Sequence, residues 1–513
     1  MSSSGNTFSP ESEEVISQSR AAPEKTDESL GSRTVRALFW SFLQAAADRG
    51  MQFIIGIVLA RLLFPEQFGL IGMLTIFMAV IRMFLDSGFG AALIQKREVT
   101  QSDICSIFYF NILVGLAATG LLCLAAPWIA SFYRQPILIP LTRALSLTIV
   151  INSFGLIQST ILTKQINFRT FTKVSLISGM FSGTLGIALA ASGFGVWSLV
   201  AQQITASLLT TANLWYFSPW RPSLLFSFNS LRNMFGFGSR LLFSGILNSI
   251  FDNIYLLVIG RLFSAVDLGY FTRAKALNDL PTQTLSEMVG RVTFPVFSSI
   301  QDDSDRLKRG LKKALTFLVL VNFPMMIGLA IIARPLVLVL LTEKWIATVP
   351  YLQLLCLAGL MYPLHVINLN VLQSLGRSDL FLRLEIIKKL MIVINIAITW
   401  RWGISAMIYG MIITSIIAYY MNSYYNGTLV GYPIREQVRD LFPYLIMSLL
   451  MGIGVFAAGM LPLSNQWSML LVQITTGAIV YVFLCRAFRL RAFMDIYQEM
   501  WNRMSLVSVG TSR

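Results

Sequence analysis

The sequence predicts an all-α polytopic membrane protein with about fourteen transmembrane helices, arranged as two parallel six-helix repeats plus two extra C-terminal helices. Three observations carry this prediction. Of the 513 residues, 55% are hydrophobic and only 13% are charged, whereas soluble proteins carry about 25% charged residues. Apolar segments of membrane-spanning length recur along the whole chain. The two halves of the chain also share sequence features at a nearly constant offset.

Thirteen segments have the roughly 20 mainly apolar residues that a helix needs to cross the hydrocarbon core of a bilayer. They are residues 37–60, 68–92, 104–130, 139–162, 170–191, 194–217, 236–260, 315–340, 347–373, 380–400, 403–425, 441–461 and 467–488. A fourteenth segment, 267–290, is too polar for recognition by hydropathy, because it carries charged residues such as Asp279 and Glu287. We include it because thirteen spans would put the two basic ends of the chain on opposite sides.

Lysine and arginine are distributed unevenly over this topology. One face holds both chain ends, the longer connections and the adjoining helix ends, with 28 of the 40 Lys and Arg residues, and the connections on the other face hold five. Because positive residues favour the cytoplasmic side, both termini are predicted to be cytoplasmic. The high pI therefore does not indicate a nucleic-acid partner.

An internal repeat supports the fourteenth span. The segment 58–69, which begins Val-Leu-Ala-Arg, aligns without a gap with 258–269, which begins Val-Ile-Gly-Arg. Residues 37–217 and 236–426 are accordingly predicted to be two copies of one six-helix bundle. Because six is even, both copies run in the same direction, as in transporters built from parallel repeats. The second copy needs 267–290 as its second helix.

The remaining segments complete the predicted domain organisation. Residues 1–36 are rich in Ser, Glu and Lys and are predicted to be a disordered cytoplasmic tail. Residues 218–235 form a cytoplasmic linker, 427–488 hold the two additional transmembrane helices, and 489–513 form a second cytoplasmic tail.

Polar residues recur every four positions in the first helix of each predicted repeat. The two stripes are Gln44, Asp48 and Gln52 in the first copy and Ser244, Asn248 and Asp252 in the second. An ionisable side chain within a span costs at least about 2.5–3.5 kcal/mol unless it faces protein or a water-filled cavity. The matched stripes therefore predict a cavity between the repeats, although hydrogen bonding across ordinary helix interfaces remains an alternative.

Four basic residues add positive charge to these two spans and to the polar segment 267–290: Arg49, Arg240, Arg273 and Lys275. Arg273 and Lys275 belong to the polar segment 267–290, which could not face lipid and is predicted to line the path. The ten residues of the two stripes and this basic set are our predicted substrate-binding residues. Lys275 and Asp279 are spaced i,i+4, so they can also simply neutralise one another.

Several function classes are disfavoured by what the sequence lacks. It has no GxxxxGK[ST] motif for ATP binding and no cysteine or histidine spacing typical of a metal site. The only histidine is His365, within an apolar segment. We therefore expect no enzymatic activity, no metal and no cofactor.

Six stretches in order resemble the polysaccharide (O-antigen and exopolysaccharide) flippases of the multidrug/oligosaccharidyl-lipid/polysaccharide exporter superfamily, over residues 33–430. The stretches are 86–95 (DSGFGAALIQ), 193–199 (GFGVWSL), 220–222 (WRP) with Ser227 and Ser230, 252–261 (DNIYLLVIGR), 291–297 (RVTFPVF) and 343–345 (EKW). No single stretch is as specific as a metal-ligand motif.

The resemblance implies a multi-pass protein of the bacterial inner membrane that serves lipopolysaccharide or exopolysaccharide biosynthesis. Its expected substrate is a lipid-linked oligosaccharide on undecaprenyl pyrophosphate, moved from the cytoplasmic to the periplasmic leaflet by alternating access. Expected partners are this lipid, the membrane and other polysaccharide-assembly proteins. Two alternatives stay open, a drug/cation antiporter of the same superfamily and a membrane glycan polymerase, although no outer connection is long enough for a catalytic domain.

Overall fold

The computed structural model describes residues 48–498 except 87, 97, 98, 166, 464 and 496, and leaves aside the side chains of 86, 91, 168 and 233–241. Gln44 and the predicted tail 1–36 thus lie outside the described residues. Every regular element within them is helical. The helices are α1 (48–62), α2 (Pro65–Asp86), α3 (Phe89–Gln95), α4 (Gln101–Tyr133), α5 (Leu138–Lys164), α6 (Phe168–Ala191), α7 (Val196–Phe217), α8 (Phe228–Leu262), α9 (Ala265–Ser299), α10 (Ser304–Ile331), α11 (Ala333–Leu340), α12 (Thr348–Gly359), α13 (Tyr362–Ser374), α14 (Ser378–Thr399), α15 (Ile404–Val430), α16 (Ile434–Ala458) and α17 (Gln466–Ala487).

The chain is a multi-pass membrane protein. Within the described residues, ten helices or helix pairs are long and apolar enough to cross a membrane. Helices suit this environment because they satisfy their backbone N–H and C=O groups internally, where no water is available. Each of the fourteen predicted spans coincides with at least part of a helix, including the polar segment 267–290, which lies within the 35-residue α9. A capping box of Ser264 and Asp267 begins this helix.

Three predicted spans are interrupted in the structure. Segments 68–92, 315–340 and 347–373 were predicted to be continuous, and each contains two helices. In the last of them the interruption between α12 and α13 frees the carbonyls of Gly359 and Leu360. The Asn322 amide of α10 donates to both at 3.2 Å. A hydropathy window does not register such a step, because the flanking residues remain apolar.

The predicted linker is also shorter than expected. Helix α8 begins at Phe228, capped by the Ser227 hydroxyl, so only residues 218–227 connect the two halves. The backbone N–H of Ser227 donates to the Ser106 hydroxyl of α4 at 2.7 Å, and the Tyr109 hydroxyl donates to the Ser223 carbonyl at 3.1 Å. These bonds hold the connection against the first half.

The helices form two packed groups and an appendage. We call α1–α7 the first half and α8–α15 the second half. Helix α2 packs along α8 and α9 and joins the two halves, while α16 packs on α10, and α17 packs on α16 and α11. Two ion pairs fasten α16 to α10, Lys308 with Glu436 and Lys312 with Asp440, both at 2.7 Å. The appendage is therefore attached to the second half.

Candidate functional site

A cavity of about 580 Å³ lies between the two halves. Its walls come from α1, α2, α6 and α7 of the first half and from α9 and Leu341 of the second. Three predicted site residues line it: Arg49, Gln52 and Arg273. The position agrees with the predicted space between the repeats. The polar segment that hydropathy alone would have assigned to a loop supplies one of its walls.

Neutral polar side chains cover the first-half wall, and the sequence-based prediction missed most of them. Gln202 and Gln203 of α7 lie beside Ser175, Ser178 and Ser182 of α6 along this wall. The three serines follow the helical repeat and so share one face of α6. Their spacing was available in the sequence. Serine spacing alone, however, does not distinguish a cavity wall from a helix interface.

Two glycines of α6 bring α1 close to this serine face. A Cβ atom at Gly179 would lie 2.1 Å from the Met51 side chain, and one at Gly183 would lie 2.3 Å from that of Ile55. Both distances are far below contact, so an added methyl group at either position would require the end of the Met51 or Ile55 side chain to move. Helix α1 is thereby held with Gln52 against the cavity.

Arg273 lies in the cavity wall with its guanidinium carbon 3.9 Å from the centre of the Phe68 ring. Its Nε is buried and has no hydrogen-bond partner among the described residues. A Cβ atom at Gly56 would lie 3.3 Å from its Nη1, so the glycine provides room for the side chain. Since the structure gives Arg273 no carboxylate partner within the described chain, its charge is available to an anionic ligand.

Arg49 connects the two halves. It donates to the Thr284 hydroxyl at 2.7 Å and forms an ion pair with Glu287 at 2.5 Å, both on α9. Arg291 lies one helical turn further on, 3.9 Å from the second Glu287 oxygen. The sequence indicated Arg49 but not its partner, which lies 238 positions away.

Asp48, the acidic residue of the first stripe, contacts its own half. The Ser175 hydroxyl of α6 donates to an Asp48 carboxylate oxygen. Asp48 therefore interacts with α6 of the same half as well as lying beside Arg49 in the chain.

The second stripe contacts a charged cluster within the second half. Lys389 of α14 donates to the Asn248 side chain at 2.6 Å. Lys275, Lys389 and Glu385 act electrostatically on Asp252, the last stripe residue. Ser244 is exposed. The stripe thus lies against α9 and α14, and its residues are not among those that line the 580 Å³ cavity.

Charges in this cluster balance in pairs. Lys275 pairs with Asp279 on α9, and Lys388 pairs with Glu385 on α14. The sequence-based prediction missed the α14 residues, because it assigned the basic residues at the start of that helix to the positively charged face of the topology. Arg240 belongs to α8, but its side chain lies outside the described residues.

Tyr362 lies near both this cluster and the Arg49 pair. Its side chain, at the interruption that begins α13, lies within electrostatic range of Asp279, Asp252, Glu287 and Arg49. The two groups of charges therefore belong to one region of the interface between the halves.

A second, apolar groove of about 870 Å³ adjoins the cavity. It is lined by α1, α9, α10, α11, α16 and α17, with side chains such as Met325, Leu329 and Ile474. Arg49 and Phe53 line both the groove and the polar cavity. The appended helices α16 and α17 thus complete a groove that leads to Arg49.

The bundle is closed at one end, which we call the Trp345 end. Trp345 is fully buried, its ring packs edge-on against Phe68 and Tyr270, and its Nε1 donates to the Ala60 carbonyl at 2.8 Å. Lys344 donates to the Arg61 carbonyl at 2.5 Å. These donors satisfy carbonyls that the C-terminal end of α1 leaves without helical partners.

The reverse contact is made by Arg61, whose side chain donates to the Leu340 carbonyl at 2.9 Å and to the Val339 carbonyl at the end of α11. Two helix ends from opposite halves therefore cap each other. Partial burial lowers the pKa of the Lys344 ammonium.

Two glycines permit the close approach at the same end. A Cβ atom at Gly69 of α2 would lie 1.7 Å from the Ala265 carbonyl oxygen, and one at Gly269 of α9 would lie 1.9 Å from that of Pro65. These are the glycines that end the two aligned segments 58–69 and 258–269. The reciprocal contact relates equivalent positions of the predicted repeats.

His365 has a structural environment. Its Nε2 lies 3.1 Å from the Ser415 hydroxyl and its Nδ1 lies 3.4 Å from the Asn422 amide, beside the Tyr419 ring. Across the described residues, no group of three or more His, Cys, Asp or Glu side chains could hold a metal ion.

Comparison with known sequences identifies related proteins. The profile of the family described as "Polysaccharide biosynthesis protein" matches residues 58–350. The chain is 29% identical over 439 residues to the teichuronic acid biosynthesis protein TuaB of Bacillus subtilis, covering 80% of this chain and 86% of TuaB. It is 26% identical over 442 residues to the lipopolysaccharide biosynthesis protein WzxC of Escherichia coli, covering 83% and 89%. The succinoglycan biosynthesis transport protein ExoT of Rhizobium meliloti is 29% identical over 337 residues, covering 65% and 68%.

Two solved structures share the fold. The lipid II flippase MurJ, in an inward closed conformation, superimposes with a TM-score of 0.74 at 16% identity, covering 88% of this chain and 98% of MurJ. A multidrug resistance MATE family transporter in an inward-facing conformation superimposes with a TM-score of 0.59 at 16% identity, covering 74% and 94%.

Proposed function

The chain belongs to the polysaccharide biosynthesis protein family, and from this membership and its two adjoining cavities we propose that it is a flippase for a lipid-linked oligosaccharide. The substrate would be carried on undecaprenyl pyrophosphate and moved from the cytoplasmic to the periplasmic leaflet of a bacterial inner membrane. Alternating access of the two halves would carry out the transfer. The names of ExoT and MurJ, a transport protein and a flippase, support a transport role without enzymatic chemistry.

The position of Arg49 is the observation that carries the proposal. A lipid-linked oligosaccharide has a polar head, an anionic phosphate junction and a long apolar chain. Arg49 lies where the 580 Å³ cavity with its polar wall meets the 870 Å³ apolar groove. Its guanidinium can bind phosphate oxygens through two parallel hydrogen bonds. The order of the three environments matches the order of the three parts of the substrate.

The head would occupy the polar cavity. The amides of Gln52, Gln202 and Gln203 can both donate to and accept from sugar hydroxyls. Arg273, which has no carboxylate partner in the described chain, would bind a second phosphate oxygen or an acidic sugar. These residues and Arg49 are the centre of the proposed binding site.

The remaining predicted site residues form an outer part of this proposal. Asp48 would position α1, and Ser244, Asn248, Asp252 and Lys275 would meet the sugars once the halves separate. Gln44 and Arg240 are also proposed to bind the substrate. For these two residues the proposal rests on the sequence alone, because the structure does not describe their side chains.

We further propose that all fourteen segments span the membrane as two parallel repeats with α16 and α17 appended. The reciprocal packing of Gly69 and Gly269 supports the repeat, and the groove gives the appended helices a role in holding the lipid chain. With both termini cytoplasmic, the Trp345 end faces the periplasm. The state described here is therefore closed to the periplasm.

Photocrosslinking tests the assignment of head and chain. A benzoylphenylalanine at Gln203 should crosslink to the sugar part of an undecaprenyl-pyrophosphate oligosaccharide, and one at Ala478 in the groove should crosslink to its lipid chain. Ile479 is an exposed residue on the face of α17 that points away from the groove, and it provides the control. Equal lipid crosslinking at 479 and 478, with none at 203, would contradict the proposed site.

Glycan export by a variant tests whether Arg273 takes part in substrate binding. In a flippase-null strain, Arg273→Gln should abolish glycan export while its membrane abundance stays near the wild-type value. Arg401→Gln is the matched control, because it removes an exposed arginine that is distant in sequence from the residues lining the cavity. Normal export by the Arg273 variant would remove this residue from the site.

A further inference from the structure

The two ends of the interface between the halves are held with different strength. At the Trp345 end, a fully buried ring and side-chain donors to backbone carbonyls join the halves. Arg49 lies about 18 Å further along α1 than Arg61, at a rise of ~1.5 Å per residue. Its ion pair with Glu287 is partly exposed, with side-chain exposures of 27% and 47%. Exposed ion pairs hold weakly, so this end should open first.

While both ends are joined, the cavity has room for about one drug-sized molecule, which is less than an oligosaccharide of several sugars needs. Its volume of about 580 Å³ lies within the range of pockets that enclose one drug-sized molecule. A sugar repeat on a pyrophosphate must therefore enter through separated helices. In the proposed topology the entry lies at the cytoplasmic end, where Arg49 and Glu287 connect α1 to α9.

In this state Arg49 is engaged by α9, because it bonds to both Thr284 and Glu287. A pyrophosphate offers more negative charge and more acceptor atoms than one carboxylate, so it can compete for the guanidinium. Arg291, 3.9 Å from Glu287, is placed to compensate the carboxylate that Arg49 leaves. The exchange would leave no uncompensated charge.

We propose that the Arg49–Glu287 ion pair is a substrate-displaced latch. The anionic head of the substrate takes Arg49 from Glu287, and loss of this link between the halves opens the cytoplasmic end. Substrate recognition and opening then share one residue. The inference rests on the proposed function, because it takes the pyrophosphate as the competitor, and it adds Glu287 as a regulatory residue.

Spin labels across the cytoplasmic end test the latch in the full-length protein. Gln165→Cys on the first half and Ser304→Cys on the second can be labelled in a Cys123→Ser background, since the other three cysteines are buried. Pulsed electron paramagnetic resonance in lipid nanodiscs then measures the ratio of long to short distances between the labels.

Glu287→Gln should raise the ratio of long to short distances about fivefold without any ligand, the change expected from a weak ion pair. Thr284→Val, which removes a neutral hydrogen bond, should raise it about twofold and covers the case in which the Glu287 variant folds poorly. Glu66→Gln is the control, because this exposed acid lies at the Trp345 end. A Glu287→Gln distribution equal to the wild type would overturn the latch.

Undecaprenyl pyrophosphate in the nanodisc is the ligand probe. It should raise the ratio about fivefold in the wild type and add nothing in Glu287→Gln, whereas undecaprenol should act on neither. A pyrophosphate lipid that binds without changing the wild-type distances would overturn the exchange, yet would leave the proposed substrate intact. If undecaprenyl pyrophosphate binds neither the wild type nor any variant, the proposed function itself is contradicted.

The double variant R49E/E287R separates the two roles of Arg49. Reversing the pair should restore the closed distances, but the variant should not respond to undecaprenyl pyrophosphate and should not export glycan. Restored export in this variant would show that Arg49 serves only as a link between the halves, and would overturn the exchange.

Discussion

Gly69→Ala should prevent closure of the Trp345 end. The added Cβ atom would lie 1.7 Å from the Ala265 carbonyl oxygen, and ordinary contact begins at about 3.4 Å. Helices α2 and α9 must therefore part by about 1.7 Å. A Cβ atom is fixed by the backbone and its neighbour is a backbone carbonyl, so no side-chain rotation can relieve the contact.

The cost of this movement follows from the hydrogen bonds across the same end. The carbonyls of Ala60, Arg61, Val339 and Leu340 accept hydrogen bonds from the opposite half, and those to Ala60, Arg61 and Leu340 are 2.5–2.9 Å long. Lengthening each by about 1.7 Å exceeds hydrogen-bonding distance. At about 1 kcal/mol for each of the four bonds, the closed end loses about 4 kcal/mol, or roughly a thousandfold in its population.

Thiol accessibility measures the effect. Leu341 is buried and lines the polar cavity beside the Trp345 end. Leu341→Cys should react with an impermeant reagent from the periplasmic side at least ten times faster in the Gly69→Ala background. Gly120→Ala is the matched control, because a Cβ atom there meets nothing within 4 Å. Equal labelling in both backgrounds, with normal abundance, would refute the steric reasoning.

Three further expectations can be checked in cells. Gln203→Ala should slow glycan export about two- to tenfold at unchanged abundance, the loss expected from one hydrogen bond to a sugar hydroxyl. Arg240→Gln should abolish export in a flippase-null strain while expression is maintained; lost expression would instead indicate a structural role, and normal export would exclude the residue from the site. Cysteines near Pro65 and Val266 should react with an impermeant thiol reagent from outside and one near Ser304 should not, and labelling of 304 from outside would refute the topology.

Hydropathy and the repeat were sufficient to predict a helical membrane protein, because membrane insertion depends on local composition. The polar segment 267–290 is the instructive case. Its composition argued against a span, and two other features indicated a helix there: the basic residues at both chain ends, which require an even number of spans, and the alignment of 58–69 with 258–269. The structure confirms the helix as α9.

Only the tertiary structure showed which residues form the interior of the site and which of them pair with one another. Arg49 and Arg273 were recognisable as charged residues within spans, but Glu287, the partner of Arg49, lies 238 positions away on a helix of the other half. Gln203 was missed because the sequence of a helix does not show which of its faces borders a cavity, and Lys389 because it was assigned to the positively charged face of the topology. That face depends on how helices rotate and pack, and glycines such as Gly179 control it through contacts between residues distant in sequence. Charges in a span indicate that a buried polar site exists, whereas helix packing determines which charges neutralise each other and which remain available to a substrate.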